Sequence, residues 1–256
     1  MWPEIHQGAG LLGFAAGQGP RLLPVLSHPE AAMELEVLWQ LAVQLQQQGY
    51  PVLVLDATAG EQAGEPGLAP WLARQISPRP DDTGLPTVVP AARGVARLLM
   101  AGADAPAVQG LADAVRHFAA VLLYAPAPAV AALMRDQAVT PLVIAAPGEA
   151  ALLRSYALLK QMAACSPLPC TVAVVLPPGG RRDGGERVLQ ALRQGSAQWL
   201  GASPRGVVVG AGDEAALGAL ALQLLENACT MAGPAASCAV PARSPGATHC
   251  HPNLTH

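Results

Sequence analysis

The sequence predicts an α/β fold, doubly wound, in which a mainly parallel sheet carries helices on both faces. The main observation is the segment 21–56, which is patterned as a strand, a loop, a long amphipathic helix and a second strand. A strand–helix–strand unit of this length forms a right-handed parallel crossover. Further apolar runs at 121–124, 141–147, 171–176 and 206–210 alternate with helical patterns. Because continuous apolar runs are typical of strands covered on both faces, these runs extend the same sheet.

The helix of the opening unit has the spacing of a single buried face. Its apolar residues recur at steps of three and four, which predicts an amphipathic helix: Leu35, Leu38, Trp39, Ala42 and Leu45. Gly49 follows at a position where helices commonly end. Ligands of such folds bind where the first strand turns into its helix. The segment from Ser27 to Leu35 is therefore the first candidate site.

Composition limits the classes of protein that the chain can belong to. Its 256 residues suit one α/β domain, predicted at 21–230, between a flexible arm (1–20) and a disordered tail (231–256). A net charge of −3 argues against a nucleic-acid surface driven by charge. The sequence has no run of eighteen apolar residues and no signal peptide. We therefore expect a cytoplasmic protein without membrane attachment.

Cysteine and histidine are not arranged as in a known metal module. The five cysteines are irregularly spaced, which fits reduced thiols better than a disulfide framework. Several potential ligands lie in the tail, namely Cys238, His249, Cys250, His251 and His256. Their spacing matches no zinc module, so no metal site is expected.

The opening unit resembles the MinD/ParA class of P-loop ATPases. That class, of the SIMIBI type, carries a phosphate loop rich in Gly and Lys between this strand and this helix. Here the corresponding residues are SHPEAAMEL, from Ser27 to Leu35. The resemblance implies that Glu34 stands where the Lys of the loop would be, and Leu35 where its Thr would be.

The chemistry of this segment departs from that of a phosphate loop. Such a loop needs glycines to turn its backbone N–H groups inward, a Lys for the phosphate charge and a Ser or Thr for magnesium. No glycine lies between Ser27 and Leu35. Pro29 has no N–H to donate, and Glu30 and Glu34 would both repel a triphosphate. The alternative is an ordinary helix N-terminus, with Ser27 or His28 near the cap and Pro29 in the first turn.

Two further strand ends depart from the class in the same direction. The resemblance implies an Asp-x-Asp-x-Gly segment after the second strand, where the sequence has Asp56 and Gly60 but Thr58 in place of the second acid. It also implies an Asp where Tyr124 ends a later strand, and a Tyr cannot replace a carboxylate around magnesium. The alternative for Asp56 is an acid that caps the next turn. We therefore expect a degenerate nucleotide site and no bound cofactor.

A second resemblance, to the regulators of flagellar number (FlhG/FleN-like), suggests a role. The strand ending at Pro147 and the helix after it match that group at Glu149, Tyr156, Ala157, Leu158 and Lys160. Gln7 and Leu11 match a short segment that in this group docks on a partner GTPase of the signal-recognition type. For the packing of the helix, an ordinary amphipathic pattern is explanation enough.

The sequence therefore predicts a MinD/ParA-like regulator with a degraded nucleotide site. It would act by contact with a protein, such as a flagellar GTPase or a basal-body component, and a homodimer is compatible with the class. The alternative is an active ATPase of the same class with an unusual phosphate loop, which would use ATP and magnesium. An unrelated Rossmann-like enzyme ranks last, because no Gly-x-Gly-x-x-Gly follows a strand.

Overall fold

The structure is a computed structural model that describes residues 19–28, 32–81, 83–102, 105–135, 137–166 and 168–231. The strands are β1 (Arg21–Leu26), β2 (Val52–Asp56), β3 (Thr87–Pro90), β4 (Ala120–Ala125), β5 (Leu142–Ala145), β6 (Thr171–Leu176), β7 (Arg205–Gly210) and β8 (Cys229–Thr230). The helices are α1 (Ala32–Gln47), α2 (Leu68–Arg74), α3 (Ala92–Met100), α4 (Ala105–Val115), α5 (Ala127–Leu133), α6 (Glu149–Cys165), α7 (Arg182–Trp199) and α8 (Glu214–Glu226).

One sheet runs through the described part of the chain. Its strands lie in the order β3-β2-β4-β1-β5-β6-β7, and every pair along this path is parallel. β8 is antiparallel and pairs with the first residues of β1. The central strand β4 is buried at all six positions. The predicted doubly wound α/β class is confirmed.

Helices cover both faces of the sheet, and the two layers differ in size. Helices α2 to α7 pack over one face, with residues such as Trp71, Leu98, Val130 and Leu192 in the core between them and the sheet. Helices α1 and α8 cover the other face. Because the side chains of a strand alternate between faces, each buried strand serves both cores.

The face that α1 buries is rotated from the predicted one. Leu38, Ala42 and Leu45 are buried as expected, but Leu35 and Trp39 are 42% and 37% exposed. The buried stripe is completed by Val37 and Leu41. The prediction was wrong at two positions because α1 packs against both the sheet and the neighbouring α8, so both determine which of its sides is buried.

Three other local features differ from a simple interpretation of the sequence. Trp199 has the helical spacing of Val188 and Leu192 but is not a core residue, because it is 72% exposed at the end of α7. Pro126 and Pro128 indicate a stiff segment after β4, and this segment forms α5, since Pro is compatible with a helix start. β8 was not predicted, because two residues leave no pattern in the sequence. Gly49 ends α1 with a φ of 88°, as expected.

The described helices include none that is both long and apolar enough to cross a membrane.

Candidate functional site

The carboxyl ends of β1, β2 and β4 bring several of the predicted site residues together. Tyr124 on β4 is in register with Val25 on one side and with Asp56 on the other. Ser27 and His28 follow β1 directly. These residues, predicted from separate strand ends, therefore lie close together at one edge of the sheet. Four predicted residues lie outside the described part of the chain: Pro29, Glu30, Gln7 and Leu11.

Glu34 closes this location from the helix side. It lies in the first turn of α1, and only 6% of its surface is exposed. Its Oε2 atom accepts the backbone N–H of His28 at 3.0 Å and the hydroxyl of Tyr124 at 2.9 Å. A carboxylate of this chain thus accepts a backbone N–H of the loop after β1.

The environment of Glu34 acts on its charge in two directions. Burial is the largest effect and raises the pKa of the Glu34 carboxyl above its ordinary value. The His28 N–H, the Tyr124 hydroxyl and the charge of Arg154 on α6 oppose that rise without cancelling it. The carboxyl therefore holds a proton to a higher pH than an exposed glutamate does.

Tyr124 is held in its protonated form. Burial raises the pKa of its hydroxyl, and the neighbouring charges of Glu34 and Asp56 raise it further. A phenol in this state donates a hydrogen bond and carries no charge at neutral pH. Its donor points at Glu34, so the two side chains form one unit.

Ser27 and Leu35 take little part in this unit. The backbone N–H of Ser27 donates to the carbonyl of Ala125 at 2.9 Å, which continues the pairing of β1 with β4. Ser27 is buried, at 5% exposure. Leu35 faces solvent instead. The backbone of Ser27 therefore extends the pairing of the sheet. Leu35 places an exposed apolar side chain at the position where the resemblance implies a hydroxyl.

Asp56 caps the turn that follows β2. Its Oδ1 atom accepts both the backbone N–H of Thr58 at 2.8 Å and the Thr58 hydroxyl at 2.6 Å. This arrangement is the turn-capping alternative that the sequence left open. Thr58 therefore donates both of its hydrogen bonds to Asp56.

Glu61 is a buried acid that sequence reasoning missed. It is 4% exposed and accepts three backbone N–H groups: those of Ala69 and Gly94 on Oε1, at 3.0 and 2.9 Å, and that of Arg93 on Oε2, at 2.5 Å. These donors belong to the first turns of α2 and α3. A signal did exist, because Gly67 and Ala91 stand at the two N-caps and neither offers a capping oxygen.

The pKa of Glu61 reflects these bonds. Burial alone would raise the pKa of this carboxyl, but the backbone N–H groups of Arg93, Ala69 and Gly94 outweigh burial and lower the pKa below its ordinary value. Glu61 is therefore charged at neutral pH and neutralises the positive ends of two helices. It fixes the chain between β2 and β3 beside the candidate site.

Two open cavities lie along the same edge of the sheet. One, of about 680 Å³, follows β6 and β7 and is lined by 176–180 and 210–214, which are rich in Gly and Pro. The other, of about 610 Å³, lies between the starts of α6 and α7. Near this second cavity, Arg181 and Arg182 are exposed and pair with Asp183 and Glu186, respectively.

The described residues contain no group of three or more His, Cys, Asp or Glu side chains placed to hold a metal ion.

Comparison with known proteins supports the fold. No protein-family model matches the sequence. No curated protein matches it. Among solved structures, the chain is similar to cobyrinic acid a,c-diamide synthase from Mycobacterium smegmatis, determined with a bound ATP analogue and magnesium. The identity is 19%, the TM-score is 0.52, and the match covers 81% of this chain and 94% of that one.

Two more solved structures match with comparable TM-scores and coverage. The same synthase with bound ADP and magnesium matches at 18% identity and a TM-score of 0.52, over 81% of this chain and 94% of that one. A plasmid partition protein from Borrelia burgdorferi matches at 9% identity and a TM-score of 0.49, over 82% and 97%. The synthase match supports the doubly wound α/β fold of the MinD/ParA P-loop NTPases.

Proposed function

We propose that this chain is a MinD/ParA-like regulatory protein that does not hydrolyse ATP and acts by contact with another protein. The observation that carries the proposal is the Glu34 carboxylate, which accepts the backbone N–H of His28 and the hydroxyl of Tyr124. A phosphate loop binds its ligand through backbone N–H groups at this place. An internal carboxylate therefore takes a donor that a phosphate would need.

Charge supports the same proposal. A Lys at the position of Glu34 would attract a polyphosphate, whereas a glutamate repels it when ionised and offers no cation when protonated. Displacing Glu34 would also leave the His28 N–H and the Tyr124 hydroxyl without the carboxylate that they now bind. These residues are a poor fit for ATP and magnesium.

The residues at the positions that serve hydrolysis in the MinD/ParA class are also occupied by hydrogen bonds within the protein. Asp56 accepts both hydrogen bonds of Thr58 on one oxygen, and Thr58 has no carboxylate with which to orient water. Tyr124 donates to Glu34. The three strand ends that depart from the class are therefore joined to one another or to neighbouring residues by hydrogen bonds.

The biological role that we propose is control of flagellar number or placement. Its support is the resemblance of 141–160 to the regulators of that group. In the structure this segment is β5 and α6, whose outer surface carries exposed Leu153 and Lys160 and half-buried Tyr156. An exposed leucine one turn from a tyrosine suits contact with a protein, because apolar and aromatic side chains form the core of protein interfaces. A GTPase of the signal-recognition type or a basal-body component is the proposed partner.

An active ATPase is the second candidate. Two observations favour it: the similar synthase was solved with an ATP analogue and magnesium, and a cavity of about 680 Å³ opens at the ends of β6 and β7. In this case ATP would have to displace the Glu34 carboxylate from His28.

Isothermal titration with ATP and magnesium separates the two candidates. If the chain does not use ATP, as we propose, the wild type should show no binding at millimolar concentrations of nucleotide. Glu34→Lys is the informative variant, since it supplies the missing cation, and Glu36→Lys is its control, because Glu36 is exposed in the same helix and the change of charge is equal. Micromolar, magnesium-dependent binding by the wild type, with phosphate release abolished by Asp56→Ala, would establish the ATPase instead.

Affinity capture from the native host tests the biological role. A flagellar GTPase or a basal-body protein should be retained by the wild-type chain and lost with the paired change Leu153→Ser and Lys160→Glu. The control is a paired change on α8, Leu222→Ser and Glu226→Lys, at two exposed residues. This control variant should still retain the partner. Capture that is indifferent to the surface of α6 would contradict this role and leave the titration result standing.

A further inference from the structure

Strand β3 is uncovered on one face of the sheet. Val88 of β3 is paired with Val54 of β2, which is buried in the core under α1 and α8. Paired residues of neighbouring strands point to the same face, so Val88 points to the face of α1 and α8. It is nevertheless 52% exposed, and no described residue of β3 belongs to the core under these two helices. In the described part of the chain, α1 and α8 therefore leave this edge strand uncovered.

The side of α1 nearest to β3 is apolar. On its other side α1 packs against α8, where a Cβ atom on Gly218 would lie 3.1 Å from the side chains of Gln44 and Gln48. At 3.6 residues per turn, Leu35 and Trp39 lie on the opposite side of the helix, and both are exposed. Since α8 also contacts β7 at the far edge of the sheet, this opposite side is directed towards β3.

Leu35, Trp39 and Val88 make up one apolar surface, the β3 face. Apolar residues scattered singly on a surface need no explanation, whereas a group of them marks a contact site. Stable complexes bury about 800 Å² on each partner, which is far more than three partly exposed side chains provide. A short apolar segment therefore fits the β3 face better than a second folded protein does.

The edge of β3 does not accept a further strand. The Ala91 N–H donates to the Asp56 carbonyl on β2, and the backbone groups of successive residues in a strand alternate between its two sides. Residues 86, 88 and 90 therefore direct their backbone groups away from the sheet. Two of them, Pro86 and Pro90, have no N–H. The occupant is therefore held by its side chains and not by a ladder of backbone hydrogen bonds.

Both ends of the described chain lie beside the start of β1. The first described residue is Gly19, and at the other end the Met231 N–H donates to the Pro20 carbonyl at 2.8 Å. Residues 1–18 and 232–256 therefore continue from the same point. Only the first of these segments has three large apolar side chains within four positions, namely Leu11, Leu12 and Phe14.

The distance to the β3 face is short enough for this segment. Val88 is level with Leu23 of β1 across the intervening strands. β3 is the third strand from β1, so Val88 lies roughly 14 Å across the sheet and about 7 Å along it from Arg21. A chain of seven residues, as from Phe14 to Arg21, extends over as much as about 23 Å. Residues 11–14 can therefore reach the β3 face.

We infer that residues 11–14 of this chain cover the β3 face and pack their apolar side chains against it. The contact is intramolecular, and it holds against the domain an arm that the sequence alone predicts to be flexible. An interaction surface of the domain is thereby occupied by the chain itself. No nucleotide takes part, so failure of the contact would leave the proposed function untouched.

Backbone NMR of the labelled full chain tests the contact. Leu11→Ser, Leu12→Ser and Phe14→Ser, made together, should shift the amide signals of the β3 face and of the Trp39 indole N–H. A matched control is Val240→Ser with Leu254→Ser, which makes the same kind of change after residue 231. This control should leave those signals in place. Unchanged signals in the triple variant, or equal shifts in both variants, would overturn the inference.

A charge on the β3 face provides the reciprocal test. Order parameters of residues 11–14 should lie above about 0.6 in the wild type and fall below it in Val88→Asp. The fold should tolerate this change, because Val88 is half exposed. Leu153→Asp, at an exposed leucine of α6 on the other face of the sheet, is the control and should keep the wild-type values. Order parameters below about 0.6 in the wild type would contradict the contact.

A second copy of the chain and another protein are the competing occupants. Spectra of the wild type at low and high protein concentration distinguish them from the arm. Signals of the β3 face that move with concentration would show that a second copy covers it. Signals that respond neither to concentration nor to the triple variant would leave the surface to another protein. Either result would overturn the inference.

Discussion

The carboxylate of Glu34 and the hydroxyl of Tyr124 form a buried hydrogen bond of 2.9 Å between residues ninety positions apart in the chain. It joins the first turn of α1 to the end of β4, at the place where P-loop proteins bind phosphate. The bond therefore gives a structural role to the acid that is least compatible with a phosphate loop. The predictions below test that role and the packing around it.

Tyr124→Phe removes the hydroxyl and keeps the ring. We expect the free energy of unfolding to fall by about 2 kcal/mol, because the buried carboxyl of Glu34 would lose a hydrogen-bond donor. This value lies within the range found for hydrogen bonds to charged groups. Urea unfolding at pH 7 measures the change. Tyr50→Phe, at a half-buried tyrosine before β2, should change stability by less than about 0.5 kcal/mol. Equal effects in both variants would argue against the bond.

Glu34→Gln should alter how stability depends on pH. The pKa of Glu34 is raised in the folded protein, so between its unfolded and folded values the folded state binds more protons than the unfolded state. The contribution of Glu34 is therefore fully present below the unfolded pKa and is lost as pH rises through the folded pKa. Glutamine does not titrate, so the variant should gain stability relative to the wild type as pH rises from the unfolded value of 4.5 through the folded pKa of Glu34.

Urea unfolding at several pH values from 4.5 upwards checks this slope. Glu36→Gln, at an exposed acid of the same helix that accepts a hydrogen bond from Gln40, is the matched control for the loss of one acid from α1. Parallel curves for the wild type and Glu34→Gln would mean that Glu34 ionises as an exposed acid does.

Periodicity was enough to predict the sheet but not the site. The strands at 171–176 and 206–210 were located from continuous apolar runs, which are typical of strands in a parallel sheet. Apolar periodicity does not reveal which polar groups meet across the sheet edge. Glu34 was recognised as unsuited to phosphate, yet its partners His28 and Tyr124 depend on the register of β1 with β4, which no local pattern encodes.

Glu61 shows the same limit more clearly. Its donors lie up to 33 residues away, on two helices, and the residues between them are Gly- and Pro-rich. The predicted buried face of α1 was wrong for a related reason. Leu35 and Trp39 match the helical period, but packing against α8 helps to determine which side of the helix is buried. Contacts between distant elements decide these details.

Glu61→Gln should be strongly destabilising. The amide offers one acceptor oxygen in place of two, and its NH₂ group would face a backbone N–H donor, so the first turns of α2 and α3 would lose at least one charge-assisted bond. We expect a loss of about 3 kcal/mol. Glu65→Gln, at an exposed acid of the same loop, should have almost no effect. Thermal and urea unfolding measure both variants.

The stabilisation by Glu61 should also disappear in acid. Its pKa is lowered in the folded protein, so its contribution is present above the unfolded value of 4.5 and is lost as pH falls through the folded pKa. The difference in stability between the wild type and Glu61→Gln should therefore shrink below about pH 4.5. A difference that stays constant from pH 7 to pH 3 would exclude a charged Glu61 as its source.

Two helical glycines provide a matched pair for the packing of α2 on α3. A methyl group at Gly94 would lie 2.5 Å from Cγ of the fully buried Leu68, whereas one at Gly110 would meet nothing within 4 Å. Gly94→Ala should therefore cost about 1–3 kcal/mol through overpacking. Gly110→Ala should instead stabilise by about 0.5–1 kcal/mol, since alanine is the better helix former. Urea unfolding distinguishes the two, and a stabilising Gly94→Ala would contradict the close contact between α2 and α3 on which the position of Glu61 depends.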